Sequence, residues 1–111
     1  MKYFRMEEFK CPCCGESKME DEFLERLDAA RSYTNVPFVI NSGYRCKAHN
    51  DSVGSKESSG HRKGCAVDIA YDSQNMGEIL AALLYYDFTR IGIGKNFIHV
   101  DSKPGIYYWR Y

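Results

Sequence analysis

The residues of this chain best equipped for chemistry fall in two short stretches. Ser59-Gly60-His61-Arg62-Lys63-Gly64-Cys65-Ala66-Val67-Asp68-Ile69 places an imidazole seven positions before a carboxylate. Phe97-Ile98-His99-Val100-Asp101 supplies a second imidazole and, two positions on, a further carboxylate. Two imidazoles and one carboxylate, His61, Asp68 and His99, form a suitable donor set for a zinc ion that keeps a fourth position for water. Water held there becomes a nucleophile near neutral pH, and the metal polarises a carbonyl. Metal-assisted hydrolysis is the chemistry to expect.

The elements that must position these side chains follow from hydrophobic periodicity. Met19–Tyr33 reads as an amphipathic helix, with Phe23, Leu24, Leu27, Ala30 and Arg31 at three- and four-residue spacings. Val36–Asn41 reads as a short strand, and Ser42–Gly64 as a long irregular segment of the kind that more often carries function than not. Cys65–Ala70 alternates like a strand. A helix begins near Asp72–Asn75, its buried face made of Met76, Ile79, Leu80, Leu83 and Leu84. Thr89–Gly94, Phe97–Asp101 and Ile106–Trp109 close the chain as strands, with turns at Lys95-Asn96 and Ser102–Gly105 that imply antiparallel neighbours. The fold class is α+β: a mostly antiparallel sheet of about four strands, helices on one face and a zinc cleft on the other.

Side-chain alternation sharpens that picture. Val67, Ile69, Ile98, Val100, Ile91 and Ile93 face the core, so Asp68, His99 and Asp101 share the opposite face with Ala66, Ala70, Gly92 and Gly94. The small residues leave an open floor on that reading. Gly64 lets the chain turn sharply into the strand, bringing His61 back over it.

Three motifs in order carry a family likeness. The stretch Ser59–Ile69 resembles the SxHxxGxAxDI signature of the D-alanyl-D-alanine carboxypeptidase-like zinc peptidases, relatives of lysostaphin-type enzymes and the hedgehog signalling domain. Asn41-Ser42-Gly43-Tyr44-Arg45 is similar to the SGYR element that precedes it, and Gly92-Ile93-Gly94 with Phe97–Asp101 to the closing GIG…FIHVD segment. The resemblance, over roughly Phe23–Trp109, implies zinc ligation by His61, Asp68 and His99 and a substrate among peptidoglycan stem peptides or cross-links. It implies that Arg45 pairs with a substrate carboxylate or carbonyl and that Ser59 helps hold the substrate, while helix-cap or turn duty is the other reading of Ser59. Short members of this kind resemble phage lysis enzymes or prophage-encoded peptidases. Two departures stand out. Some relatives use a histidine two positions after His99, where this chain has Asp101. Many carry a general-base glutamate where it has Asn96. Asp101 then becomes the candidate base, its other reading being support for His99 or a neighbouring arginine. Tyr44 and Trp109 are candidates to line the groove, buried packing being their other reading, and His49 is expected to be structural or exposed. The missing glutamate also leaves room for a non-catalytic cell-wall-binding module, or a phage structural or assembly protein, with the same fold.

Composition narrows the partners. With 15 Lys and Arg against 15 Asp and Glu the net charge is zero, which excludes the basic excess of a general nucleic-acid binder. No apolar run approaches the roughly 20 residues needed to span a bilayer. The first eight residues lack the apolar segment of a secretory signal, so the expectation is a chain cytoplasmic as synthesised that reaches the wall after release, by a phage lysis system for instance. At 111 residues a single zinc peptidase domain over 1–111 is expected, with residues 1–18 a Cys-rich extension packed on it, working as a monomer. Five cysteines cannot all pair within one chain. Cys11 and Cys14 have CxxC spacing but only half of a zinc ribbon. Free thiols are therefore expected for Cys11, Cys13, Cys14, Cys46 and Cys65 rather than a second, structural metal; Cys46 or Cys65 could supply further thiolates if the N-terminus folds back over the loop.

Overall fold

The computed structural model describes residues 1–111. Apolar side chains recur on one side of α1 (Asp21–Ser32), where Phe23, Leu24, Leu27 and Ala30 are buried. Arg31, assigned to that face from its spacing, instead lays its guanidinium over the Tyr3 ring, 4.6 Å from the centroid. β1 (Val39–Ser42) follows, then two short helices, α2 (Lys47–Ser52) and α3 (Gly60–Lys63). β2 (Ala66–Ala70), α4 (Met76–Tyr85), β3 (Arg90–Ile93), β4 (Phe97–Asp101) and β5 (Tyr107–Arg110) complete the chain. No helix is long and apolar enough to cross a membrane.

The sheet has five strands, one for each segment read as a strand from the sequence, in the order β1-β2-β4-β3-β5. Every pairing is antiparallel except the last, since β5 runs parallel to β3. The turn at Lys95-Asn96 makes the β3–β4 hairpin as anticipated, but the Ser102–Gly105 turn does not make another. β4 already has neighbours on both sides, so the chain crosses the end of β3 and pairs with its free edge. Two inter-strand steps of about 4.8 Å are well within reach of such a connection.

One face of the sheet is dry. Val67, Ile69, Ile91, Ile98 and Val100 meet Phe23, Leu24, Leu27, Ile79, Ala82, Leu83 and Phe88 in a single core, to which Phe4 and Phe9 of the N-terminal segment also belong. Within α4, Ala82 takes the buried position while Leu84 is 46 % exposed, because the helix stops at Tyr85 before its flank can be covered. The region read as irregular, Ser42–Gly64, is broken by the turns of α2 and α3. Their sequences are too short for a periodicity to register.

Three close approaches seat these pieces. A side chain at Gly43 would meet the Phe9 backbone at 2.7 Å, and one at Gly60 would meet Ala66 Cβ at 2.8 Å. Gly64 ends α3 in the left-handed conformation (φ 78°), with the Lys18 carbonyl against its Cα. Gly54 is also left-handed (φ 72°) but has open space around it. The two positions separate strain from contact. Gly54→Ala should cost about 1–2 kcal/mol, the strain of one left-handed L-residue. Gly64→Ala should cost more than that, about 3 kcal/mol or above, because Lys18 must also move. Urea unfolding of both variants measures the difference, and equal losses would show that the Lys18 contact yields freely.

Candidate functional site

Strand register brings the site together. Ser42 lies opposite Asp68, Asp68 opposite His99, His99 opposite Gly92, and Gly92 opposite Trp109, a row across all five strands. A register shift between Ile40 and Ser42 re-aims the end of β1 toward this row. His61 arrives from the other direction on α3, whose N-cap is Ser59; the Ser59 hydroxyl accepts a bond from the His61 backbone N–H at 3.2 Å.

Each imidazole has one nitrogen committed. His61 Nδ1 lies 2.8 Å from the Gly43 carbonyl. A carbonyl can only accept, so Nδ1 carries the proton and, in the neutral ring, Nε2 presents its lone pair. His99 Nε2 lies 2.7 Å from Asp101 Oδ2, which leaves Nδ1 free in the neutral ring. The two free nitrogens then point at one carboxylate oxygen: Asp68 Oδ1 is 3.2 Å from His61 Nε2 and 3.0 Å from His99 Nδ1. Arg45 stands on the other side, its guanidinium 3.9 Å from Asp68 Oδ2.

The electrostatics are those of a site awaiting positive charge. Burial alone would raise the Asp68 pKa, but hydrogen bonds from His61 and His99 outweigh it and hold the carboxyl well below its ordinary range. Burial opposes charge on His99 too, yet its bonds to Asp101 and Asp68 raise its pKa. Two neutral imidazoles with lone pairs facing the same carboxylate oxygen repel. Either protons or a cation must lie between them. The spacing suits a cation, since tetrahedral zinc with bonds of about 2.0–2.1 Å separates its donors by about 3.3 Å. The three donor atoms all lie within 4.8 Å of one another.

These groups form the floor of an open cleft of about 400 Å³ lined by Arg45, Ser59, His61, Asp68, His99, Phe97 and Tyr111, with Val53–Ser55 at its rim. Several sequence expectations need correction here. Asp101 shares the strand face of His99 but is 3 % exposed and does not line the cleft. Its oxygens are occupied by His99 Nε2, by Arg90 Nε at 2.7 Å and by the Lys103 backbone N–H at 3.0 Å. These partners hold its carboxyl below the usual range although burial works against them. Tyr44 is also absent from the cleft: its side chain is buried, with its hydroxyl accepting from Arg62 at 3.3 Å. The glycines do not leave an open floor. The space above Gly92 is filled by the Trp109 indole and that above Gly94 by the Phe97 ring, so Trp109 leans across β3 to within 5.5 Å of the His99 ring centroid.

Sequence reasoning passed over Tyr111 and Arg90, whereas alternation in β4 sets Phe97 on the face of His99. Arg90 was findable, since β3–β4 pairing sets it opposite Asp101. Tyr111 was not, because its position depends on β5 joining the far edge of β3. His49 stands apart from the trio, its backbone N–H bonded to the Cys46 sulfur.

The sequence model of the family described as peptidase M15 matches residues 2–101. The match takes in every residue of the His61, Asp68 and His99 constellation and the Cys-rich N-terminal segment, while β5 lies beyond it. No curated protein is a significant match to the chain. With nearly its whole length matched, this chain belongs to the peptidase M15 family, a family of zinc-dependent metallopeptidases.

Proposed function

We propose that residues 1–111 act as one zinc peptidase domain that hydrolyses peptide bonds in bacterial peptidoglycan stem peptides or cross-links, as a D,D-carboxypeptidase or endopeptidase, with His61, Asp68 and His99 holding the metal. The observation that carries this reading is the convergence of His61 Nε2, Asp68 Oδ1 and His99 Nδ1 on the floor of a cleft that also presents Arg45. When bound, zinc supplies Lewis acidity, polarising a carbonyl and making water a nucleophile near neutral pH.

The chain's own groups do the rest. Gly43 O and Asp101 keep the outer imidazole protons in place, so both rings offer lone pairs inward. Arg45, with a planar fork of donors, suits a substrate carboxylate or carbonyl. Ser59 accepts from the backbone with its oxygen and retains its own O–H to donate to a substrate. Beyond Tyr111 a second cavity of about 690 Å³ begins, lined in part by Tyr71, Met76 and Arg110, which extends the room for a peptide past the cleft. Such a protein meets the wall as a monomer after release from the cell that makes it.

Asp101 is best read as a positioning residue. Asp68 is the sole carboxylate lining the cleft, and Asn96, where many relatives have a glutamate, is exposed on the β3–β4 turn. That absence favours one competing reading, a wall-binding module that keeps the metal but does not cut.

Three measurements test these assignments. His61→Ala, Asp68→Ala and His99→Ala should each remove about one zinc per chain, and a variant that keeps its full complement takes that residue out of the set. Asp101→Asn should weaken zinc binding about 10–100-fold in chelator competition. Unchanged affinity with lost turnover would instead make Asp101 the base. Mass spectrometry of peptidoglycan fragments after digestion, with and without chelator, should reveal new termini only with zinc-loaded protein. Intact walls and intact model D-amino-acid peptides under those conditions would leave the binding module as the surviving reading.

A further inference from the structure

A second cluster of soft donors lies outside the cleft. Cys11 Sγ and Cys46 Sγ are 3.7 Å apart, and Cys14 Sγ joins them with all three sulfurs within 4.8 Å of one another. From these thiols we infer a second metal site, in which Cys11, Cys14 and Cys46 hold a structural zinc ion that clips the N-terminal segment to the loop carrying Arg45.

Geometry favours metal over bare thiols. Tetrahedral zinc with Zn–S bonds of about 2.3 Å sets its sulfurs about 3.8 Å apart, close to the Cys11–Cys46 separation. The Cys11–Gly15 segment is folded as a tight turn, its Gly15 N–H bonded to the Cys11 carbonyl at 2.8 Å and Gly15 itself left-handed at φ 78°. That turn aims amides at sulfur. Cys11 Sγ receives the backbone N–H of Cys46 at 3.5 Å and those of Cys13 and Cys14, and Cys46 Sγ receives the His49 N–H at 3.5 Å. Amide dipoles directed at a sulfur stabilise a thiolate rather than a thiol. Cys13, between Cys11 and Cys14 in sequence, is exposed and lies outside the group.

Cys65 plays no part. It sits in the main core beside Ser102, where burial raises its pKa, and belongs to no such group. The half-ribbon at Cys11–Cys14 thus finds its missing partner 35 residues on in Cys46, an encounter that depends on the docking of Phe9 against Gly43. Binding would release the thiol protons to solvent, leaving a soft, all-thiolate site whose donor type is that of structural zinc.

The experiment uses the full chain prepared under reducing conditions, loaded with zinc and then exchanged with cobalt(II). Elemental analysis should give about two zinc ions per chain, with about one retained in Asp68→Ala and about one in Cys11→Ser/Cys14→Ser. Cobalt in the wild-type chain and in Asp68→Ala should give the intense near-ultraviolet band of thiolate-to-metal charge transfer, which imidazole and carboxylate ligands do not produce. Cys65→Ser should change neither reading. The wild-type spectrum needs no substitution, so it decides the matter even if the double variant fails to fold. Absence of that band, or a Cys11–Cys46 disulfide in the reduced preparation by mass spectrometry, would overturn the site. Because the Asp68→Ala readings do not involve hydrolysis, failure here and failure of the peptidase reading are separate results.

Discussion

Asp68 Oδ1 sits between two imidazole nitrogens that have no other proton donor or acceptor to turn to. The outer nitrogens are already taken, by a backbone carbonyl on one side and by Asp101 on the other. A half-buried carboxylate in that position is costly unless positive charge accompanies it, because it has lost part of its hydration. The constraint reaches outward. Fixing His99 requires Asp101, and Asp101 in turn needs Arg90 and the Lys103 amide to balance its own charge. The chain thus backs the floor of its cleft with a line of polar groups running away from it: carboxylate, imidazole, carboxylate, guanidinium.

Backbone pairing, more than side-chain packing, delivers this order. Asp68–His99 and Asp101–Arg90 are both directly opposed pairs in adjacent strands, so the register that buries Val67, Ile69, Ile98 and Val100 also aligns the polar row on the other face. A one-residue slip would exchange the two faces and place the site in the core. Hydrophobic burial therefore specifies the metal geometry. Gly92 and Ala66 complete the arrangement by being small: one admits the Trp109 indole against His99, the other the backbone of α3 at Gly60.

How much of this was legible in the sequence follows from the range of the interactions. The alternation in β2 and β4 was strong, and it located Asp68 and His99 on one face. The periodicity of α1 and most of α4 was equally plain. What escaped depended on contacts with no local signature. β5 joins β3 because β4 has no free edge, a matter of topology rather than of the residues in the Ser102–Gly105 turn. Asp101 leaves the cleft because Arg90 and Lys103 pull its carboxylate under His99, and Tyr44 because Arg62 engages its hydroxyl. Cys46 could be weighed as a partner for Cys11 and Cys14, but only the docking of Phe9 on Gly43 chooses it over Cys65.

Gly43, Tyr44, Arg45 and Cys46 form four consecutive residues with no regular secondary structure, tied alternately to His61 and to the N-terminal segment. Gly43 O bonds His61, Tyr44 N–H bonds Phe9 O at 2.8 Å, Arg45 N–H bonds His61 O at 3.0 Å, and Cys46 meets Cys11. Ordering an irregular segment costs about 1–2 kcal/mol per residue in backbone entropy. Single hydrogen bonds of about 1 kcal/mol each offset that only in part. Something further must hold a stretch on which both the tautomer of His61 and the placement of Arg45 depend. A cross-link of metal and thiolates at its far end would do so where the core cannot reach. The N-terminal segment then belongs to the mechanics of the cleft, because the same backbone that receives Phe9 orients the imidazole opposite Asp68.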